Sequence, residues 1–164
     1  MTEKPNVLEL SEADLRAYAV RHGDELVKVL NRMKESGRPS AMSWSWLGFF
    51  LPLSWFAYRR MWGWLVGMIG VFAGLTMIQN ATGLDFGGGP AVGIAAAVGI
   101  MGKQLVIQRA ARAVAEADAK GLRGSHRAEF LAESGGVNVT AAWIVGIATF
   151  GLIGLAVLSA TTRV

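Results

Sequence analysis

The residue types that usually carry out catalysis or bind metal ions are few in this sequence, and they lie far apart. The two histidines, His22 and His126, fall in separate polar segments. Neither has a histidine or carboxylate partner that makes a persuasive metal site at helical spacing. The chain contains no cysteine, which excludes disulfides, thiolate metal sites and cysteine nucleophiles. The sequence therefore predicts a protein that is not an enzyme and holds neither a metal ion nor another cofactor.

The glycines at 87–89 suggest a second kind of chemistry, a loop that cradles a phosphate group. No Lys-Ser or Lys-Thr pair follows them and no strand pattern precedes them, so both common nucleotide-binding fingerprints are excluded. We expect a flexible turn that ends where Pro90 opens the next helix. The apolar segments also lack paired carboxylates, which argues against a proton-coupled carrier. No small-molecule substrate is identified.

The clearest cluster with binding chemistry is aromatic and basic. In a helix, Trp55, Tyr58, Arg59 and Trp62 share one face by three- and four-residue spacing, and Arg60 adds a second guanidinium. Tryptophan and tyrosine favour the membrane interface, and arginines resist crossing a bilayer. The cluster is therefore either an anchor that fixes the depth of its neighbours or a lipid or partner site. In the second case an arginine holds an anionic headgroup against the rings.

The aromatic and basic cluster lies where two long apolar segments of the sequence meet, so these segments determine its position. Hydrophobic residues make up 52% of the chain, and they concentrate in 41–58, 62–79, 90–107 and 138–160. Runs near eighteen residues can cross a hydrocarbon core of about 30 Å at about 1.5 Å per residue. The sequence predicts an all-α membrane protein in which residues 41–164 form the membrane domain.

Two polar regions flank these runs. Residues 1–40 contain an amphipathic helix over 12–36, capped by Ser11 and ended by Gly37. Residues 108–136 form a helical loop, since the helix from 90–107 is expected to continue into water as far as Lys120. This loop carries two further candidate residues for lipid or partner binding, Arg109 and Arg112.

The distribution of basic residues predicts the topology. The net charge is +4, but basic residues alternate with acidic ones, so we expect no nucleic-acid partner. Pro52 divides the first apolar segment, which is either a kinked span or a re-entrant segment. If the segment is re-entrant, residues 1–40, the arginine pair and residues 108–136 all lie on one side of the membrane. The loop 80–89 and the C-terminus then lie on the other side. We therefore prefer three transmembrane helices with a cytoplasmic N-terminus and an outward C-terminus.

Glycines mark the first of these spans. The pairs Gly63/Gly67 and Gly70/Gly74 have the four-residue spacing that lets two membrane helices approach closely. We expect them to pack against another helix, either of the same chain or of a second copy in a homo-oligomer.

The stretch WLGFFLPLSWFAYRRMW, from Trp46 to Trp62, resembles the signature of small bacterial membrane proteins catalogued as domain of unknown function 2628. This sequence departs from the signature at Ser45, Pro52 and Arg60. The residues that match in register are Trp46, Phe49, Phe50, Trp55, Tyr58, Arg59, Met61 and Trp62. The resemblance covers most of the chain from residue 12 onward. It implies a multi-pass protein of the bacterial inner membrane with an unassigned role, and it supplies no substrate, cofactor or catalytic residue.

Two hypotheses for function follow. The first is a non-catalytic adaptor or accessory subunit that binds protein partners or anionic lipid. The second is a small oligomeric channel or permeability factor.

Overall fold

A computed structural model describes residues 6–161 of the chain, without the side chains at 156, 157, 159 and 160. The predicted outward C-terminus therefore lies outside the described residues. Within them, a short 3-10 turn (Val7–Glu9) precedes helices and no strand is present. The helices are α1 (Glu12–Ala19), α2 (Gly23–Ser36), α3 (Trp46–Phe50), α4 (Pro52–Tyr58), α5 (Trp62–Thr82), α6 (Gly89–Ala119), α7 (Gly124–Ser134) and α8 (Val139–Thr161).

Three regions are long and apolar enough to cross a membrane: α5, α6 and the region Gly124–Leu155. The last region joins the polar α7 to α8, and α8 supplies its apolar part. In the most apolar stretch of α5 only 6% of the residues are buried by the rest of the protein, and in that of α6 only 28% are. Apolar faces this exposed require lipid rather than water around them. The predicted all-α membrane fold with three candidate spans is confirmed.

The single helix predicted over 12–36 is wrong, because the chain breaks between α1 and α2. Val20 and His22 have φ values of 56° and 58°, in the left-handed region that ends a helix. The Tyr18 carbonyl, near the end of α1, instead accepts a hydrogen bond from the Gly136 N–H at 2.8 Å. The apolar stripe is buried at Leu15, Ala19, Leu26, Val29 and Met33, whereas His22 on the same stripe is exposed.

The polar end of the molecule is a folded unit, which we call the head: residues 6–36 together with 107–134. Its helices α1 and α2 pack on α6, whose C-terminal half is polar, and α7 covers α1. The fully buried side chains between them are Leu15, Leu26, Leu30, Met33, Ile107 and Leu131. Removing such side chains from water supplies the main stabilisation, about 1.5–3 kcal/mol for each.

The first apolar segment forms two short helices. The break falls at Leu51 (φ −135°, ψ 62°), and Pro52 opens α4, where its missing N–H costs nothing. The two helices are too short to cross a core of about 30 Å at about 1.5 Å per residue. Instead α4 packs against α5, α6 and α8, and α5 and α8 rest chiefly on α4 rather than on each other.

The contacts of this segment trace its path along α6. Met42 and Gln104 line the same cavity, and further on the Ser45 N–H donates to the Gly99 carbonyl at 2.8 Å. Gly48 approaches the Val98 carbonyl, since a Cβ there would lie 3.3 Å from that oxygen. The chain then returns, as Trp55 packs so closely on Gly102 that a Cβ would lie 2.9 Å from its ring.

The four glycines of α5 have no close neighbour in the described part of the chain. A Cβ built on Gly63, Gly67, Gly70 or Gly74 would meet no atom within 4 Å. Their role in packing against a second copy stays a prediction. Glycines that allow close approach lie elsewhere in the described chain, on α2, α3, α6, α8 and the link before α8: Gly23, Gly48, Gly99, Gly102, Gly135, Gly136 and Gly146.

Candidate functional site

The turn between α4 and α5 directs its two arginines to different places. Arg59 follows the last residue of α4, and Arg60 adopts a left-handed conformation with φ 55°. This reversal lets Arg59 pack beside Tyr58 and sends Arg60 toward the end of α7. The predicted cluster is therefore divided into an Arg59 part and an Arg60 part.

Arg59 lines an open cavity of about 580 Å³ between α2, α6 and the first apolar segment, which we call the Arg59 cavity. Its guanidinium lies 5.4 Å from the centre of the Tyr58 ring, within the range of a cation–π contact. Among the described residues, its buried Nε and Nη1 atoms have no hydrogen-bond partner. The other lining residues are His22, Glu25, Leu26, Lys28, Trp44, Ser45, Trp46, Leu47, Trp55 and Lys103.

The Arg59 cavity is lined by more cationic than acidic side chains. Of its lining residues, Arg59, Lys28 and Lys103 are cationic and only Glu25 is acidic. Lys103 binds Glu25 at 3.0 Å, and this hydrogen bond holds the pKa of the Glu25 carboxyl below its ordinary value. The carboxylate therefore stays ionised, and the remaining two cations attract an anion.

Arg60 and Arg109 bind backbone atoms, a role that the sequence did not indicate. Arg60 Nη1 donates to the carbonyls of Glu133, at 2.9 Å, and Gly135, at 3.4 Å. The carbonyl of Arg60 in turn accepts from Arg109 Nη1 at 2.9 Å. These bonds join α6, the α4–α5 turn and the end of α7, so both side chains stabilise the base of the head.

A second cavity, of about 530 Å³, lies on the other side of this turn. Arg112 is exposed at its rim and has no ion pair within the described residues. Trp62, the remaining member of the predicted cluster, is 47% exposed, so it suits a contact with the membrane interface. The lining residues of this cavity, which we call the Arg112 groove, are Tyr18, Met61, Gly63, Trp64, Arg109, Arg112, Ala113, Glu116 and Ser134.

Sequence reasoning found Trp55, Tyr58 and Arg59 but missed their partners across the cavity. Lys103 lies on α6, far away in the sequence, and Trp44 lies at the opposite end of the first apolar segment, so no local spacing connects either residue with Arg59. In the part of the chain that the structure covers, no three His, Cys, Asp or Glu residues are placed to hold a metal ion.

The fold is that of a helical membrane protein. It has three long apolar helices, a short broken segment that packs against all three, and a folded polar head. Within that class the chain belongs to the family described as protein of unknown function, DUF2628, which matches residues 12–112. The resemblance predicted from the aromatic and basic signature is thus confirmed. Neither a curated protein nor a solved structure matches the chain significantly.

Proposed function

We propose that the protein is a non-catalytic adaptor of the bacterial inner membrane that binds an acidic segment of a partner protein. The observation that carries this proposal is the Arg112 groove, which places an unpaired arginine beside exposed Trp64 at the base of the head. Such a groove offers an apolar surface and a cation together. Aromatic and arginine side chains are the residues that most often dominate binding at protein interfaces.

The rigidity of the head supports this role. Arg127 on α7 binds Asp14 on α1 at 2.9 Å and also pairs with Asp118 near the end of α6. Arg60 and Arg109 connect the same unit to the membrane segment through backbone carbonyls. A preformed surface loses less conformational freedom on binding than a flexible one does, which favours affinity.

We further propose that α3 and α4 form a re-entrant segment with a cytoplasmic head. The order of contacts along α6 supports it: Met42 shares a cavity with Gln104, Gly48 approaches Val98, and the Arg60 carbonyl accepts a hydrogen bond from Arg109. The stretch of α6 from Val98 to Arg109 is about 16 Å long at about 1.5 Å per residue. This length is roughly half the thickness of a hydrocarbon core. The basic residues of the head then lie on the side where lysine and arginine are in excess.

Reporter fusions test this topology. A cytoplasmic signal is expected after residue 38 and after Lys120, and an external signal at Gly88 and at Val164, because only the loop between α5 and α6 and the C-terminus then cross. An external signal after residue 38, with the other three unchanged, would make the first apolar segment a fourth span.

Reversal of the charge in the Arg112 groove tests the adaptor function. Arg112→Glu should leave membrane insertion intact but weaken co-purification of a partner in mild detergent by up to about 2 kcal/mol. One attraction is lost and one repulsion is gained, each up to about 1 kcal/mol for a pair of exposed charges. Arg123→Glu makes the same change at an exposed position outside the groove, and it should retain the partner. Equal loss in the two variants would contradict a specific groove.

The channel hypothesis has one observation in its favour, the open glycine face of α5. A second copy could approach that face closely and complete an oligomeric pore. Ion flux through reconstituted vesicles that is abolished by Gly67→Leu would support the channel and count against the adaptor.

A further inference from the structure

The Arg59 cavity is not used by the proposed partner surface, and its composition indicates a ligand of its own. It combines cations with aromatic rings, and the guanidinium of Arg59 has buried donors without a partner among the described residues. A buried donor left unpaired is destabilising, because it has lost its hydrogen bonds to water and gained none in return. An anion with several acceptor oxygens in the cavity would remove this cost.

Phosphate fits the donors best. A guanidinium presents parallel N–H groups that match two oxygens of a phosphate, whereas an ammonium acts as a point charge. Lys103 has three donor hydrogens, so it can keep its bond to Glu25 and still reach a phosphate oxygen. The ring of Tyr58 holds Arg59 in place from one side.

The position of the cavity indicates where the phosphate comes from. Lys103 stands where the apolar run of α6 ends, which is the level of the lipid headgroups. Trp46 and Leu47 line the cavity and are 66% and 47% exposed, so the opening continues onto an apolar surface. A phospholipid matches both the cationic cavity, through its headgroup, and the apolar surface at the opening, through its acyl chains. A free phosphate ion matches only the cationic cavity.

We propose that the Arg59 cavity binds the phosphate of an anionic phospholipid, held by Arg59 and Lys103 against the Tyr58 ring. The acyl chains lie over Trp46 and Leu47. The site is separate from the Arg112 groove and does not depend on a protein partner.

The test is a titration of the full chain in neutral detergent with dioctanoyl phosphatidylglycerol, with bound lipid counted by native mass spectrometry. Arg59→Gln should weaken binding about tenfold, because a charged hydrogen-bond donor is lost. Arg59→Lys should give a smaller loss, since the charge stays but the planar fork is gone. Arg123→Gln removes an equal charge from an exposed site outside the cavity, and its affinity should match that of the unmodified protein.

Glu25→Gln gives a result in the opposite direction, which a misfolded variant would not produce. Loss of this carboxylate frees Lys103 and removes the repulsion of the phosphate, so affinity should rise. Equal weakening by Arg59→Gln and Arg123→Gln, or a fall in affinity with Glu25→Gln, would overturn the site. Displacement of the lipid by inorganic phosphate at equal concentration would overturn the lipid as its occupant.

Discussion

Gly135→Ala is expected to lower the free energy of unfolding by about 3 kcal/mol, because overpacking at this position meets a backbone atom that has no room to move. A Cβ on Gly135 would overlap the carbonyl oxygen of Tyr18 and come within 2.8 Å of its ring. The same carbonyl accepts the Gly136 N–H, and Arg60 donates to the Gly135 carbonyl. The substitution therefore separates α1, the α4–α5 turn and the link to α8 at one point.

Thermal unfolding in mild detergent, followed by circular dichroism and by trypsin cleavage in the head, measures this effect. Gly93→Ala is the matched control, since a Cβ there meets no atom within 4 Å and alanine suits the interior of α6. It should unfold at or above the temperature of the unmodified protein. An unchanged midpoint for Gly135→Ala would show that the head does not dock as described.

Arg127→Met should be the second large effect, with a loss of about 2 kcal/mol, because the charge pair is partly buried and lies between an exposed pair, at about 1 kcal/mol or less, and a fully buried one, at about 3–5 kcal/mol. The side chain is 18% exposed and binds Asp14 and Asp118 at once. Methionine keeps the length of the side chain but leaves Asp14, which is 20% exposed, without its cation. A double-mutant cycle with Asp14→Asn should show strong coupling. Additive losses would mean that the pair contributes nothing.

This ion pair also makes stability depend on pH. The hydrogen bond from Arg127 holds the pKa of the Asp14 carboxyl below its ordinary value of 3.8. A carboxyl with a lowered folded pKa stabilises the protein above its unfolded pKa, and this contribution is lost as pH falls through the folded pKa. Unfolding temperatures measured at pH 7 and at successive steps below pH 4 should fall more steeply for the unmodified protein than for Arg127→Met.

Much of the membrane domain was predictable because its signals are local. The sequence indicated α6 as one long helix that continues beyond its apolar run as far as Lys120, and Pro52 indicated a division of the first apolar segment. The break between α1 and α2 was not predictable. At the end of α1 the Tyr18 carbonyl accepts a hydrogen bond from the Gly136 N–H, and a contact between residues so distant in sequence leaves no local signal.

The glycines illustrate the same limit. Four-residue spacing drew attention to Gly63 and Gly67, where a Cβ would meet no atom within 4 Å, while Gly99 and Gly102 make close contacts. Which glycine meets a neighbour depends on where the first apolar segment lies, and sequence spacing contains no information on that. For the same reason the pairing of Arg59 with Lys103 in one cavity emerged only from the fold.

The central position of α4 has a consequence for biogenesis. During synthesis α4 leaves the ribosome long before α8, yet α8 packs on it so closely that a Cβ on Gly146 would lie 3.2 Å from the Ser54 hydroxyl. The N–H of Asn138 then binds the Tyr58 carbonyl at 2.7 Å. Until that moment one side of α4 has no protein cover, and the nascent chain must hold it in the bilayer or against the insertion machinery. The packing around α4 is therefore complete only once α8 has been synthesised and docked, and a chain truncated before residue 139 leaves that face of α4 without protein cover.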